Sequence, residues 1–215
     1  NNTDGKLSEL ISASGAKPLY IRFADESLNK IAAQTPYVAS TNNIALGENG
    51  KSSVTLTQSL PGVTVTKTLT FYSDGHYDAK IALSGEKRYF VYLGQHPQII
   101  EQIMTVVGGM VYSGDNLTTI FEDGDVEGRS IFTDVHLVSA FDQYYATILY
   151  GFDKSTQVTV ERDVNNNPVT YLEGNTNFTF NGYIGPKDYK LLETINPVLV
   201  NAIEYGWFTF VAAPI

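Results

Sequence analysis

The chain has 215 residues, with 14 Lys or Arg against 23 Asp or Glu, so its formal net charge is −9. A surface that follows nucleic-acid phosphates needs clustered basic residues to release counterions, and this acidic balance excludes nucleic-acid binding. The chain contains no Cys, which excludes disulfide scaffolds, cysteine-ligated zinc and thiol nucleophiles. A chain of this length forms one large domain or at most two small ones.

Alternating β-branched and polar residues predict antiparallel strands in the first half of the chain. Residues 52–65 alternate with a period of two and are interrupted by Pro61-Gly62, which is typical of strand, turn and strand. The second strand continues to Tyr72, and the chain turns again at residues 73–75 before a third strand that ends at Leu83. The same alternation places on the inward faces Leu69, Phe71, Tyr77, Ala79, Ile81 and Leu83.

One short helix is predicted before these strands, at residues 27–33. Further short strands are predicted after them, at residues 88–93, 110–113, 130–132, 144–150, 157–162, 169–172 and 177–183. Many short strands at this spacing predict a β-sandwich.

The pattern becomes helical near the C-terminal end of the sequence. Pro186 suits the first turn of a helix, where its missing N–H costs nothing, and Tyr189, Leu192 and Ile195 would then share one face. A second helix is predicted to begin at Pro197, where the same start signal recurs.

The last nine residues, 207–215, are almost wholly apolar and begin with the only Trp of the chain. Aromatic side chains collect where membrane hydrocarbon meets water, because the ring is apolar while its polar atom still reaches water. Nine residues cannot cross hydrocarbon that is ~30 Å thick, so we expect this stretch to be the start of a longer membrane element. The alternative is a buried final strand of a domain with no membrane contact.

Two motifs in this region resemble a known family. The segments 180–192 and 205–214 are similar to the end of the large periplasmic domain of bacterial insertases of the YidC/Oxa/Alb family. In that family a Gly-Pro-Lys start, here Gly185 to Lys187, opens a helix, and a Tyr-Gly-Trp-Phe element, here Tyr205 to Phe208, leads into the second transmembrane helix. Weaker similarity covers most of the chain and includes residues 18–20, 66–71, 75–77, 109–113 and 140–146.

The resemblance implies a mainly β fold, a β-supersandwich similar to galactose mutarotase with C-terminal α-helices. It divides the chain into a supersandwich at 1–184 and helices leading to the membrane at 185–215. It implies a periplasmic location in an integral inner-membrane protein, between its first two transmembrane helices. The implied partners of the full-length protein are the Sec translocon, SecYEG with its accessory SecDF, and nascent membrane proteins. Insertion in this family belongs to a groove in the membrane bundle, so this segment is expected to be noncatalytic, without cofactor or metal.

The same resemblance yields two sets of candidate functional residues. The residues expected at the membrane interface are Tyr205, Trp207, Phe208 and Phe210. The residues expected to start and seat the first C-terminal helix are Gly185, Pro186, Lys187, Tyr189 and Leu192.

An enzymatic alternative follows from the mutarotase-like fold, since sugar epimerisation needs a general base and a general acid beside the ring. His76 is predicted in a solvated turn, and His96 follows a strand where it would line a cleft, without an evident partner carboxylate. His136 has Asp134 at a spacing of two, which puts both on one face of a strand. A carbohydrate-binding or aldose-epimerase-like sandwich therefore stays open, as does a cell-surface β-domain whose tail completes a sheet.

The acidic stretch at residues 122–127 is the one candidate for a cation site. It lacks the order and the closing Glu of an EF-hand loop, so a solvated loop is expected there.

Overall fold

The computed structural model describes residues 16–46, 50–96, 106–114 and 116–202. Strands and helices follow one another in these residues as β1 (Ile21–Phe23), α1 (Glu26–Gln34), β2 (Val38–Ala39), β3 (Lys51–Leu60), β4 (Val63–Tyr72), β5 (His76–Leu83), β6 (Tyr89–Tyr92), β7 (Gly108–Ser113), β8 (Leu117–Glu122), β9 (Arg129–Phe132), β10 (Val135–Phe141), β11 (Tyr145–Tyr150), β12 (Val158–Arg162), β13 (Pro168–Glu173), β14 (Asn177–Pro186), α2 (Tyr189–Ile195) and α3 (Pro197–Ala202).

The strands form two antiparallel sheets. The smaller sheet has five strands in the order β1-β6-β13-β12-β9, and the larger has nine in the order β2-β3-β4-β5-β14-β11-β10-β7-β8. One apolar cluster joins their facing sides, with Val91 and Leu172 from the smaller sheet and Val65, Ile81 and Val138 from the larger. The prediction of a mainly β sandwich with C-terminal helices is confirmed.

The predicted hairpins are present in the larger sheet. Leu60 pairs with Val63 across the Pro61-Gly62 turn, and β4 then pairs with β5 along most of its length. Gly62 adopts φ +75°, in the left-handed region that favours glycine. The predicted inward residues of β4 and β5 are buried, apart from Phe71, which is partly buried.

The predicted early helix is also present and is slightly longer than expected. Asp25 caps it by accepting hydrogen bonds from the backbone N–H groups of Ser27 and Leu28. The Asn29 side chain accepts from Phe23 N at 2.8 Å and donates to Phe23 O at 2.9 Å. These two bonds attach the helix to β1, because the Asn29 amide pairs with the backbone of Phe23 in the way that a neighbouring strand does.

A buried lysine ties the start of the described chain to the larger sheet. Lys67 lies on the inward face of β4 with 7% of its surface exposed, and its Nζ donates to Leu19 O at 2.7 Å. The same nitrogen lies 4.5 Å from the centroid of the Tyr37 ring. Burial lowers the pKa of Lys67 to about 8, because the ammonium form loses its hydration. Leu19 itself is held at φ +61°.

The outward face of the larger sheet has two unlike halves. On β3, β4 and β5 it carries mainly hydroxyl and charged side chains, with a shallow cavity lined by Thr68, Thr70, Asp78, Lys80 and Asn181 among others. On β14, β11, β10 and β7 it is apolar and is covered by α2 and α3. Within the described residues, the C-terminal helices therefore lie on the apolar half of this face and not on its polar half.

Candidate functional site

The C-terminal helices are seated in a second apolar cluster, on the outward face of the larger sheet. Leu192 of α2 and Leu199 of α3 are fully buried there. The sheet contributes Met110, Tyr112, Leu137, Phe141, Ala146, Ile148, Tyr150 and Tyr183. Burying a Leu side chain stabilises by roughly 1.5–3 kcal/mol, so the two leucines hold the short helices where propensity alone would not.

The connection from β14 to α2 differs from the sequence-based prediction. Gly185 and Pro186 pair with Ala146 and Tyr145, so they end β14. Helix α2 begins at Tyr189, and the prediction that Pro186 occupies the first helical turn was wrong. Pro is tolerated at the end of a strand because only a terminal ladder bond is lost.

The Tyr183 side chain explains why glycine stands at position 185. Its hydroxyl donates to Pro186 O at 2.7 Å, so the side chain must pass over residue 185. A Cβ there would lie 2.5 Å from the Tyr183 hydroxyl oxygen. The close approach is possible only because Gly185 has no side chain.

Lys187 and two aspartates shape the turn into α2. The Asp188 carboxylate accepts from Leu191 N at 3.0 Å and caps the helix. Lys187 Nζ lies 5.2 Å from the centroid of the Phe141 ring. Burial lowers the pKa of Lys187 to about 8, while the neighbouring Asp142 carboxylate acts to raise it. Asp142 is itself buried and accepts from the backbone N–H groups of Tyr144 and Tyr145, both at 2.7 Å.

The second helix begins where the sequence predicted. Pro197 is the first residue of α3, and Asn196 accepts from Val198 N at 2.9 Å through its side chain. The backbone of Asn196 also accepts from Leu199 N at 2.9 Å. A polar residue before a Pro at the first position matches the usual start of a helix.

The predicted site residues fall into three groups in the structure. Leu192 is in the apolar cluster, while Tyr189 is 40% exposed at the start of α2 and does not lie in it. Gly185, Pro186 and Lys187 form the connection that precedes the helix. The residues predicted at the membrane interface, Tyr205, Trp207, Phe208 and Phe210, lie outside the described residues.

Each histidine contacts at least one neighbouring side chain. His76 Nδ1 bonds the Asp74 carboxylate, and its ring stacks on Tyr72 with centroids 4.0 Å apart. His96 Nε2 bonds Asp123 Oδ2 at 2.8 Å, so the partner carboxylate that the sequence did not reveal comes from the turn after β8.

His136 and Asp134 make separate contacts. Its ring lies 5.4 Å from that of Tyr112. Asp134 precedes β10 at φ +52°, and its carboxylate lies 3.5 Å from Lys154 Nζ.

The described part of the chain holds neither a cluster of metal ligands nor a membrane-spanning helix. Among these residues no three side chains of the His, Asp or Glu type come together as a metal site would require. None of the helices found in these residues is long and apolar enough to cross a membrane.

Sequence reasoning missed Asp142 and Asp188. The signal for Asp188 was present, since an Asp before a helical pattern is a usual capping residue, but the predicted start of the helix at Pro186 is three residues too early. Asp142 also has a local signal, because an Asp at the start of a turn commonly accepts from backbone N–H groups two and three residues further on, but the strand before this turn, β10, was not predicted.

Fold and site together define a β-sandwich domain whose larger sheet is covered by two short C-terminal helices. A family model described as the YidC periplasmic domain matches residues 2–215. The chain belongs to this family.

Relatives named membrane protein insertase YidC support the assignment. The protein from Campylobacter jejuni is 39% identical over 99% of this chain and 40% of its own length. That from Wolinella succinogenes is 36% identical over 98% of this chain and 39% of its own length. The Helicobacter pylori protein is 34% identical over 98% of this chain and 39% of its own length. The chain therefore spans about two fifths of the length of these relatives.

Solved structures give more distant similarity. A GH36 alpha-galactosidase from Geobacillus stearothermophilus has a TM-score of 0.44 and 10% identity, covering 92% of this chain and 32% of the enzyme. A heparan sulfate lyase from Pedobacter heparinus has a TM-score of 0.40 and 14% identity, covering 79% of this chain and 28% of the lyase.

Proposed function

We propose that this chain is the noncatalytic periplasmic part of an integral inner-membrane insertase, placed between its first two transmembrane helices. In the full-length protein it supports the insertion of nascent membrane proteins. It does so by presenting sheet edges and an open sheet face to the Sec translocon, SecYEG with SecDF, or to emerging segments. The division into a supersandwich at 1–184 and a membrane-directed part at 185–215 belongs to this proposal.

The seating of α2 and α3 carries the proposal. Leu192 and Leu199 hold both helices against the larger sheet, so residues up to 202 have a fixed relation to the sandwich. The sequence then continues directly into the aromatic residues that we place at the bilayer interface, Tyr205, Trp207, Phe208 and Phe210. In this arrangement Gly185 to Leu192 act as the connector between sandwich and membrane.

A vesicle flotation experiment tests the interfacial role. The chain should float with phosphatidylcholine vesicles, and a variant carrying Trp207→Ser and Phe208→Ser should float less. The matched control carries Tyr144→Ser and Val164→Ser, which remove two side chains that are 51% and 97% exposed elsewhere. Anionic lipid should not increase binding, because a chain with a net charge of −9 is repelled by it. Equal flotation of the two double variants would contradict the interfacial role.

The partnership with the translocon is tested in the full-length protein. SecYEG and SecDF should co-purify with it, and replacement of residues 21–184 by a flexible linker should reduce the amount recovered. Undiminished recovery would contradict a role for this domain in that contact.

The hydrogen-bonded pair of His96 and Asp123 favours one second candidate, a carbohydrate-binding or aldose-epimerase-like site. A carboxylate that orients a histidine is a usual part of general acid–base catalysis. The discriminating assay follows anomeric interconversion of aldoses, and saccharide binding, with the chain and its His96→Ala and His136→Ala variants. Turnover that is lost on either substitution would overturn the noncatalytic assignment.

A further inference from the structure

Strand β8 is an edge without the usual protection. It ends the nine-stranded sheet, and within the described residues only β7 pairs with it. The other sheet ends are short: β2 has two residues, β1 three and β9 four. Edge strands are normally kept from pairing by shortness, Pro or charged side chains, Lys above all. β8 has six residues and contains neither Pro nor Lys, and its one charged side chain, Glu122, stands at its last residue.

The pairing pattern shows which backbone groups of β8 face outward. Asp123 N donates to Val107 O at 2.9 Å, which continues the β7–β8 ladder by one bonded pair. Bonded and non-bonded pairs alternate along an antiparallel ladder. The N–H groups that point away from β7 are therefore those of Thr118, Ile120 and Glu122. The outward carbonyls of Thr118 and Ile120 add two acceptors, whereas that of Glu122 accepts from Asp125 N in the following turn.

Apolar side chains line the inner side of this edge. Leu117 is 60% exposed, and Phe121 is partly buried with its ring edge-on to Phe132, centroids 6.0 Å apart. Phe132 belongs to β9, the end strand of the opposite sheet. A strand added to β8 would point every second side chain at Leu117 and Phe121, so apolar residues are favoured at those positions.

Charge is uneven along the edge. Glu122, Asp125 and Glu127 are exposed at the end where β8 finishes, and the exposed cation close to them in sequence is Arg129. An antiparallel partner brings its amino-terminal end to that position. Basic residues at the amino-terminal end of the partner would therefore be attracted. A second copy of this chain is disfavoured as the partner, because each copy carries a net charge of −9.

We propose that β8 binds, as an added antiparallel strand, an extended segment of another polypeptide that has apolar residues at alternate positions and basic residues at its amino-terminal end. This deepens the proposed function, on which it rests, by naming the edge that receives a segment and the chemistry of that segment. Main-chain hydrogen bonds supply the attraction, and the alternate side chains and the basic end supply the selectivity.

The first test uses two N-acetylated, fluorescently labelled peptides and the whole chain, with binding measured by anisotropy. Lys-Lys-Val-Thr-Val-Thr-Val should bind about threefold more tightly than Val-Thr-Val-Thr-Val-Lys-Lys, since an exposed ion pair contributes little more than this. Glu122→Ala removes the carboxylate alone, and Glu122→Pro also removes the outward N–H without touching a bond to β7. Glu122→Pro should bind the first peptide a further threefold to tenfold more weakly than Glu122→Ala, as expected for one lost hydrogen bond.

Amide hydrogen exchange of the unmodified chain provides a second measurement. It does not depend on whether any variant folds. On peptide addition, exchange at Thr118, Ile120 and Glu122 should slow, while Thr119 and Phe121, already bonded to β7, should change little. Three results would each overturn the proposal: equal affinity of the Pro and Ala variants, no slowing at the three outward amides, or a dimer of the chain that Glu122→Pro abolishes. The assay contains neither membrane nor translocon, so its failure would leave the proposed function to its own tests.

Discussion

Replacement of Lys67 by Met should change how the stability of the domain depends on pH. The Lys67 ammonium is buried between the sheets, where it donates to Leu19 O and lies over the Tyr37 ring. Both contacts favour the charged form, but loss of hydration dominates and lowers its pKa from 10.5 to about 8. Met keeps the apolar length of the side chain and removes the titrating group.

The direction and size of the effect follow from this difference in pKa. Between pH 8 and 10.5 the unfolded chain binds a proton at Lys67 that the folded chain has released, so the free energy of unfolding rises with pH. Through Lys67 the free energy of unfolding rises by about 3 kcal/mol between pH 8 and 10.5. About 2 kcal/mol of this rise falls between pH 8 and 9.5. Lys187, with a pKa of about 8, acts in the same direction.

Tyrosines limit the effect at higher pH. Burial raises the pKa of Tyr77 and Tyr89, and raises that of Tyr150 to about 12. Above pH 10 the unfolded chain loses tyrosine protons that the folded chain keeps, so stability falls again. The combined contribution of these lysines and tyrosines to stability is therefore expected to be largest at about pH 9 to 10.

Urea unfolding at pH 7, 8, 9 and 9.5 measures this contribution. The difference in unfolding free energy between the parent chain and Lys67→Met should grow by about 2 kcal/mol from pH 8 to 9.5. Lys80→Met is the matched control, because Lys80 is an exposed lysine on the adjacent strand β5. It should leave the pH profile unchanged. Parallel profiles for the parent chain and Lys67→Met would refute the assignment of a depressed pKa to this lysine.

Two substitutions test the seating of the C-terminal helices by the same unfolding measurement. Leu192→Ala should cost about 2–5 kcal/mol because it empties a fully buried position, while Lys190→Ala on the exposed side of α2 should cost less than about 0.5 kcal/mol; equal effects would mean that α2 is not held by its buried face. Asp188→Ala should cost about 1 kcal/mol through loss of the cap on Leu191 N, and Asp188→Asn, which retains an acceptor, should cost less; no difference between the two would argue against capping.

The sequence predicts most clearly the strands β4 and β5, in which one face is polar. β4 and β5 alternate cleanly because their inward residues join the core while their outward residues meet solvent. β10 was not among the predicted strands, and both of its faces are covered: Val138 and Ala140 face the opposite sheet, and Leu137 and Phe141 lie in the cluster with the helices. A strand buried on both sides loses the period of two.

The candidate site was predictable in part. Helical spacing places Leu192 on the apolar face of α2, where the structure has it buried, and the Asn-Pro signal gives the observed start of α3. The start of α2 was wrong because the ladder to β11 extends through Pro186, a long-range pairing with no local signal. Lys67 could have been placed inward by the alternation of Val63, Val65 and Leu69, but its partner, Leu19 O, lies 48 residues away in the chain.

Trp207 offers the most direct test, because it is the only Trp of the chain and one of the residues that we propose to lie at the bilayer interface. Its emission should shift to shorter wavelength when phosphatidylcholine vesicles are added, since the indole leaves water for the interface. Brominated acyl chains should then quench it, and aqueous acrylamide should quench it less than before. Emission that does not shift, with unchanged quenching by acrylamide, would contradict the claim that this end of the domain meets the membrane.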